Sequence, residues 1–289
     1  MDGEVERNEG IVEAPPKKAG TNWWAEIKGI LWLVLAVFAF QSLIAKPFYI
    51  PSESMLPDLL VGDRLVVTKY PYGWSFVSPI FHPLSFIHGR LFGHMPKRGD
   101  VVIVTPPGKR EDYIKRVIGL PGDRLQVQGG VVILNGKPVE RGPLHYRDLP
   151  VDDNSTCDPM QYPGARQMGP NGKMICHLPI ITETLPNGRS YDTVDLEPNS
   201  PGDNYGPITI PKDSVFLMGD NRDRSADSRF PLVEEGLGGP VPWEYLGGRA
   251  EFITFSLDGS ATWNPLTWFT DFRGGRVGLT LHPKQTQPQ

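Results

Sequence analysis

Two serine hydroxyls lie close together in a short segment bracketed by prolines. Residues 51–57 read PSESMLP, so one residue separates Ser52 from Ser54. Proline fixes its own φ angle, which limits how far the segment between the two prolines can move. A serine hydroxyl attacks a carbonyl carbon when a neighbouring base removes its proton. Such a segment is also common as a plain loop, so the serines need a partner base elsewhere in the chain.

A candidate base lies in residues 113–118, which read YIKRVI. Side chains alternate along a strand, so Lys115 and Arg116 face opposite sides, and we expect one of these cations to be drawn into the core. Burial lowers the pKa of a lysine because the charged form loses its hydration, whereas an arginine stays protonated. A neutral amine beside a serine hydroxyl can act as its base. The alternative is an edge strand on which both cations face water.

A polar loop, GDNRDRSADSR at residues 219–229, follows the apolar stretch 215–218. Its hydroxyl and carboxylate groups could hold a base in place. The alternative is a solvated turn with internal ion pairs, each of which contributes little to stability.

Taken together, these segments resemble the conserved boxes of bacterial type I signal peptidases. The stretches IPSESMLPDLLVGDRLVV, YIKRVIGLPGD and GDNRDRSADSR follow one another in the order found in that family. The resemblance is close over residues 48–69, 97–123 and 215–229. It implies a membrane-bound serine endopeptidase that removes signal peptides from exported preproteins. It also implies cleavage after a small-x-small site through an acyl-enzyme.

Carried over by position, the resemblance makes Ser54 the nucleophile and Lys115 the general base. The hydroxyl of Ser52 and the backbone N–H of Ser54 would form the oxyanion hole. The substrate pocket would be lined by Phe48, Ile50, Pro51, Met55, Tyr113 and Ile114.

The polar loop acquires roles in the same way. Ser225 would orient the lysine amine, and Asp227 and Arg229 would hold the loop around it. Glu53 departs from the family pattern, since many relatives have glycine there, and we expect its side chain to point to solvent. We expect the reaction to need neither a cofactor nor a metal.

An uncharged apolar run, GILWLVLAVFAFQSLIA, covers residues 29–45. As a helix these 17 residues would reach about 26 Å, at the short end of what spans a bilayer. We predict one transmembrane helix over residues 23–46, with the lipid bilayer as a partner. A buried core helix would show a polar face, and a cleaved signal peptide ending at Ala45 would need a small residue where Leu43 stands.

Positive charge is concentrated before this run, at Arg7, Lys17, Lys18 and Lys28. The positive-inside tendency therefore places the amino terminus in the cytoplasm. We expect an enzyme of the bacterial inner membrane whose catalytic domain is periplasmic. Residues 1–22 are polar and are interpreted as a disordered cytoplasmic tail.

The composition favours strands over helices. The chain of 289 residues contains 32 Gly and 30 Pro, both of which interrupt helices. Strand signals occur at 63–69, 100–105, 112–120, 123–128, 130–134, 215–218 and 250–256. We therefore predict an all-β or β-dominated catalytic domain, of the type that signal peptidases share with repressor autopeptidases. It would comprise residues 47–139 and 212–289, interrupted by a loop-rich subdomain at 140–211.

The subdomain contains both cysteines, Cys157 and Cys176. A disulfide is favoured if this region lies outside the cytosol, and a metal site with His145 or His177 is the alternative.

The formal net charge of −4 argues against a nucleic-acid partner. The aromatic segments 72–95 and 263–272 fit either membrane contact or ordinary packing.

Three other functions remain open from the residues alone. A Ser-His-Asp hydrolase would use one of six histidines: His82, His88, His94, His145, His177 and His282. A cytosolic Ser/Lys autopeptidase would share the chemistry but would have a DNA-binding domain and no membrane anchor. A tethered periplasmic binding module would show no peptidase activity.

Overall fold

The computed structural model describes residues 22–79, 86, 88–260 and 270–285. Strands of the amino-terminal half are β1 (Ala45–Tyr49), β2 (Asp63–Thr68), β3 (Val101–Val104), β4 (Tyr113–Gly119), β5 (Arg124–Gln128), β6 (Val131–Leu134), β7 (Lys137–Pro138), β8 (Glu140–Arg141) and β9 (His145–Pro150). They are followed by β10 (Arg166–Met168), β11 (Met174–Thr184), β12 (Arg189–Val194), β13 (Tyr205–Thr209), β14 (Ser214–Met218), β15 (Val241–Pro242), β16 (Leu246–Ser256) and β17 (Lys284–Gln285). This predominance of strands confirms the predicted β-dominated fold.

The strands form three antiparallel sheets. The first has seven strands in the order β1-β2-β16-β3-β4-β14-β15. The second follows the path β10-β11-β12-β17, with β8 and β9 also paired to β11. The third has the order β13-β5-β6-β7. The first sheet positions both parts of the candidate site. Its strand β4 contains Lys115, and its strand β1 ends just before the serine segment.

Strand β4 is buried on both faces. It pairs with β3 on one side, where Val102 lies opposite Lys115, and with β14 on the other. One face carries Ile114 into a core cluster with Ile103 and Ile253. The opposite face carries Val117 into a second cluster. A strand placed between two cores desolvates any charged side chain that it contains, which is how Lys115 comes to be buried.

The range 140–211 contains six strands, β8 to β13, where the density of proline and glycine led us to expect loops. Strand β11 alone has 11 residues, and Cys176, Leu178 and Ile180 are buried along it at alternate positions. Two pairings also cross the predicted limits of this range, since β13 pairs with β5 and β17 pairs with β12. His177 and Pro179 occupy the alternate positions between these buried side chains, so the segment alternates as a strand does, although the composition of the range favoured loops.

Helix α1 covers Trp23–Leu43. It is long and apolar enough to cross a membrane, with a mean hydropathy of 1.6, and none of its residues is buried in the protein. The predicted helix extended to residue 46, but Lys46 belongs to β1. The proline that follows it, Pro47, removes a backbone donor that a continuing helix would need. The predicted tail, up to residue 21, lies outside the described residues.

Candidate active site

The structure brings the two main candidate residues into direct contact. Lys115 Nζ lies 2.9 Å from Ser54 Oγ, and both side chains are buried. The residues are 61 positions apart in the chain. Ser54 is held in the turn that follows β1, and Lys115 points out of the middle of β4. A lysine amine at this distance can either donate a hydrogen bond to the hydroxyl or, when neutral, accept its proton.

Burial shifts the lysine towards its neutral form. Desolvation lowers the pKa of Lys115 from 10.5 to about 8, although the carboxylates of Asp227 and Asp220 oppose the change. Arg229 favours it, because its positive charge repels a protonated amine. The aromatic ring of Tyr113 lies against the amine, with its centroid 5.6 Å from Nζ. At pH 7 about a tenth of the molecules would hold the neutral amine, against about one in 3,000 for an ordinary lysine.

Ser52 lies at the exposed side of this pair. Its Oγ is 3.4 Å from Ser54 Oγ, and the side chain faces solvent. The hydroxyl is therefore free to rotate towards a bound substrate. This position is compatible with the oxyanion role that the resemblance implies.

Asp227 and Arg229 hold the polar loop by a buried ion pair. The guanidinium of Arg229 donates to Asp227 Oδ1 and Oδ2 at 2.9 Å each, and it also reaches the carbonyl of Arg222 at 2.6 Å. Burial alone would raise the pKa of Asp227, but the pairing with Arg229 holds it below its ordinary value. Asp227 also accepts from the backbone N–H of Gly219, so the pair fixes both ends of the loop.

Ser225 does not make the contact expected of it. Among the described residues, no group hydrogen-bonds to Ser225 Oγ, which is buried beside Gly219. A Cβ added to Gly219 would lie 2.2 Å from this hydroxyl and 2.5 Å from the carbonyl oxygen of Ser54. Glycine is required there because the loop and the nucleophile segment approach so closely.

The residues expected to line the substrate pocket divide into three groups. Ile50, Met55 and Ile114 are buried in one core cluster with Phe48 packed against it. Tyr113 lies against the other core cluster, and Pro51 is exposed. A cavity of about 500 Å³ lies beside Met55 and Arg116, and neither Ser54 nor Lys115 lines it.

Both cations of β4 are buried, although only one was expected to be. Arg116 makes two hydrogen bonds to Asp220, at 2.7 and 2.6 Å, and lies 4.3 Å over the ring of Tyr191. The pattern of alternation was correct, but both faces of the strand are covered. A bidentate carboxylate is what allows a second cation to be buried next to the first.

Glu53 also differs from the expectation that it points to solvent. Its carboxylate accepts a hydrogen bond from the hydroxyl of Tyr162 at 2.6 Å. Tyr162 in turn accepts one from the side chain of Asn221 at 3.0 Å. Asn221 was visible as a polar residue of the loop, whereas Tyr162 lies 109 positions from Glu53 and no sequence signal connects the two.

The remaining candidate residues are not at this site. Cys157 and Cys176 are joined in a disulfide with a Cα–Cα distance of 5.7 Å, which removes both as metal ligands. Within the described ranges, the carboxylates that could hold a metal are those of Asp195, Asp203 and Asp223, whose oxygens lie within 4.8 Å of one another.

The histidines also have other partners. His177 contacts Asp148, His282 contacts Glu251 and His88 pairs with Glu244. In the part of the chain that the structure describes, no histidine hydrogen-bonds to a candidate catalytic residue. His82 lies outside the described residues.

The fold and the site together define a β-sheet protein in which the candidate nucleophile is paired with a lysine rather than a histidine. A family model described as signal peptidase, peptidase S26, matches residues 23–255. The chain belongs to this family, and it is therefore a peptidase.

Two relatives cover nearly the whole chain. A signal peptidase I of Rickettsia typhi is 35% identical over 267 residues, which are 90% of this chain and 87% of the relative. A signal peptidase I of Rickettsia prowazekii is 36% identical over 269 residues, with the same coverage.

Among solved structures, a signal peptidase I of Enterococcus faecalis V583 covers 54% of this chain and 97% of its own, at 19% identity and a TM-score of 0.28. A TM-score of that size does not establish a shared fold. The β-dominated fold is seen instead in the three sheets of the chain itself.

Proposed function

We propose that this chain is a membrane-anchored serine endopeptidase that removes signal peptides from exported preproteins. The observation that carries the proposal is the buried contact of 2.9 Å between Lys115 Nζ and Ser54 Oγ. Membership of the signal peptidase family supports the substrate class, and the apolar helix α1 supports the membrane anchor.

In the proposed mechanism Ser54 is the nucleophile and Lys115 is the general base. The neutral amine takes the hydroxyl proton as Ser54 Oγ bonds to the carbonyl carbon of the scissile peptide. The resulting ammonium returns that proton to the nitrogen of the leaving group, and the C–N bond breaks. Water then attacks the carbonyl carbon of the acyl-enzyme as Lys115 takes its proton. The ammonium returns that proton to Ser54 Oγ as the ester bond breaks, which releases the new carboxyl terminus and restores the enzyme.

The oxyanion that forms in each step requires hydrogen-bond donors. The backbone N–H of Ser54 and the hydroxyl of Ser52 are the proposed donors. Removing one such donor lowers kcat by about 100- to 1,000-fold in other serine proteases. Asp227, Arg229 and Ser225 are proposed to act indirectly, by shaping the loop that encloses the lysine.

The substrate is proposed to be cut after a small-x-small sequence. Phe48 is partly buried and packs against the buried side chains of Ile50, Met55 and Ile114, which would form the apolar floor beneath the substrate and leave no deep pocket for large side chains. Pro51 and Tyr113 would border it. The substrate would lie extended along an exposed strand edge and hydrogen-bond through its backbone.

The proposed location is the bacterial inner membrane, with the amino terminus in the cytoplasm and the catalytic domain in the periplasm. Four Lys or Arg side chains precede the apolar run at 29–45, at Arg7, Lys17, Lys18 and Lys28, and only Lys46 directly follows it, which supports this orientation. The disulfide between Cys157 and Cys176 supports an oxidising compartment for the domain that contains it.

The test is cleavage of a fluorogenic small-x-small peptide and of a preprotein by the full-length chain in detergent. Ser54→Ala and Lys115→Met should each lower turnover by at least about 1,000-fold. The matched controls are Ser214→Ala, which changes another buried serine, and Lys137→Met, which changes an exposed lysine. Turnover near the wild-type rate in either active-site variant would remove the proposed mechanism.

A further inference from the structure

Asn221 holds the backbone on both sides of the nucleophile's amide. Its side-chain Nδ2 donates to the carbonyl oxygen of Glu53 at 3.1 Å. Its backbone N–H donates to the carbonyl oxygen of Ser54, also at 3.1 Å. Asn221 is fully buried, so water does not compete for these contacts. The Glu53 carbonyl also accepts from the backbone N–H of Leu56 at 3.1 Å, so Asn221 and this turn together hold the first of two consecutive peptide planes, and Asn221 holds the second.

Fixing the Glu53 carbonyl also fixes the direction of the Ser54 N–H. The bond between these two residues is among the trans peptides of the chain, in which the C=O and N–H of one plane point in opposite directions. A carbonyl that points to Asn221 therefore turns the Ser54 N–H away from Asn221. Among the described residues, no acceptor takes this N–H, so it remains available to an oxyanion.

Tyr162 completes the arrangement from the opposite side. Its hydroxyl donates to Glu53 Oε2 at 2.6 Å and accepts from Asn221 Nδ2 at 3.0 Å. The two hydrogens of the Asn221 amide are thus directed to two fixed acceptors. The amide cannot be flipped, because the carbonyl of Glu53 only accepts hydrogen bonds.

The phenol ring is itself rigidly placed. Tyr162 is 1% exposed and packs in one cluster with Leu56 and Leu60, which follow the nucleophile, and with both cysteines of the disulfide. Burial raises the pKa of Tyr162 far above its ordinary value, so the hydroxyl keeps its proton. A side chain packed in this way retains its position while the substrate is turned over.

We propose that Asn221 and Tyr162 are positioning residues that aim the backbone N–H of Ser54 at the developing oxyanion. Neither side chain hydrogen-bonds to the lysine amine, whose partner is Ser54 Oγ. Glu53 links them, because its carbonyl oxygen accepts from Asn221 and its carboxylate accepts from Tyr162. The inference rests on the proposed function, since it assigns a supporting role in the same reaction.

The test compares Asn221→Ala and Tyr162→Phe in the full-length chain in detergent. The first keeps the backbone N–H of residue 221 and removes only the amide. The second keeps the packed ring and removes one hydroxyl, so it should fold normally. Tyr205→Phe is the control, because it removes a tyrosine hydroxyl from a half-buried ring that packs against another core cluster.

We expect kcat to fall about 10- to 100-fold for Asn221→Ala and about 3- to 10-fold for Tyr162→Phe, with KM within about twofold of wild type. Affinity for a peptide boronic acid, which forms a tetrahedral adduct on a serine, should fall by the same factor as kcat. The pH at which kcat/KM loses half its value should not move, because neither side chain contacts Lys115. A merely structural role would lower the yield of folded enzyme without this selective loss.

The inference is overturned if both variants keep kcat within about twofold of wild type, or if kcat falls while boronate affinity is retained. It is also overturned if the pH profile shifts with kcat. Ser54→Ala, measured in the same series, separates this result from the proposed function. If the Ser54→Ala variant is active, the proposed function is refuted. If that variant is inactive while the Asn221→Ala and Tyr162→Phe variants have normal kinetics, only the inference is refuted.

Discussion

Replacing Lys115 with methionine should abolish turnover and at the same time make the protein more stable at neutral pH. Burial lowers the pKa of this amine from 10.5 to about 8. At about 1.4 kcal/mol per pH unit, the lowered pKa means that the protonated lysine destabilises the fold by about 3 kcal/mol. Methionine has a similar volume and no charge, but it cannot make the hydrogen bond to Ser54. The loss of that bond reduces the gain in stability by about 1 kcal/mol. We therefore expect a net gain of about 2 kcal/mol at pH 7.

The gain should disappear as the pH rises. Between pH 8 and 10.5 the unfolded chain holds a proton on Lys115 that the folded protein has released, so the stability of the wild type increases with pH. Below about pH 8 both states are protonated and the full penalty is present. Above about pH 10.5 both are neutral, and the methionine variant should then be less stable than the wild type by about 1 kcal/mol.

Urea unfolding of both proteins in the same detergent, at about pH 7 and about pH 10.5, measures this difference. Lys137→Met, at an exposed position of β7, is the control and should change the free energy of unfolding at neither pH. Equal stability of the wild type and the Lys115→Met variant at both pH values would mean that this lysine is hydrated. That result would refute the argument that burial supplies the neutral base.

Two further predictions follow from close contacts in the structure. Gly219→Ala should lower kcat at least about tenfold, because the new methyl group would lie 2.5 Å from the Ser54 carbonyl oxygen. Gly274→Ala is the control, because a Cβ at that position would have no atom within 4 Å, and equal kinetics of the two variants would contradict the close approach. Replacing Cys157 and Cys176 together with serine should lower the free energy of unfolding by about 3 kcal/mol, because the disulfide closes a loop across 19 positions. Thermal melting of the full-length protein measures the second effect, and an unchanged melting temperature would show that this region is held by packing alone.

The sequence was informative where short motifs have a local physical meaning. The structure contains the strand predicted around Lys115, which is β4, and the helix predicted from the apolar stretch, which is α1. The strands were predicted correctly because short runs of β-branched residues bounded by glycine and proline are typical of strands. The resemblance to signal peptidases then supplied the pairing of two residues that are 61 positions apart.

What could not be predicted depends on contacts between distant segments. The partner of Glu53 is Tyr162, in a region whose strands were hidden by prolines, and no local pattern connects them. The burial of Arg116 required knowing that both faces of β4 are covered and that Asp220 lies within reach. In each case a polar group is accommodated by one specific partner, which a periodic pattern does not reveal.

The pH dependence of kcat/KM for the full-length protein tests the central claim most directly, because it reports the pKa of the base in the free enzyme. With Lys115 as base, the rate should rise about tenfold per pH unit up to about pH 8 and then level off. A profile that levels off near pH 6.5, as a histidine base would give, or one that still rises towards about pH 10.5, as a hydrated lysine would give, contradicts the account.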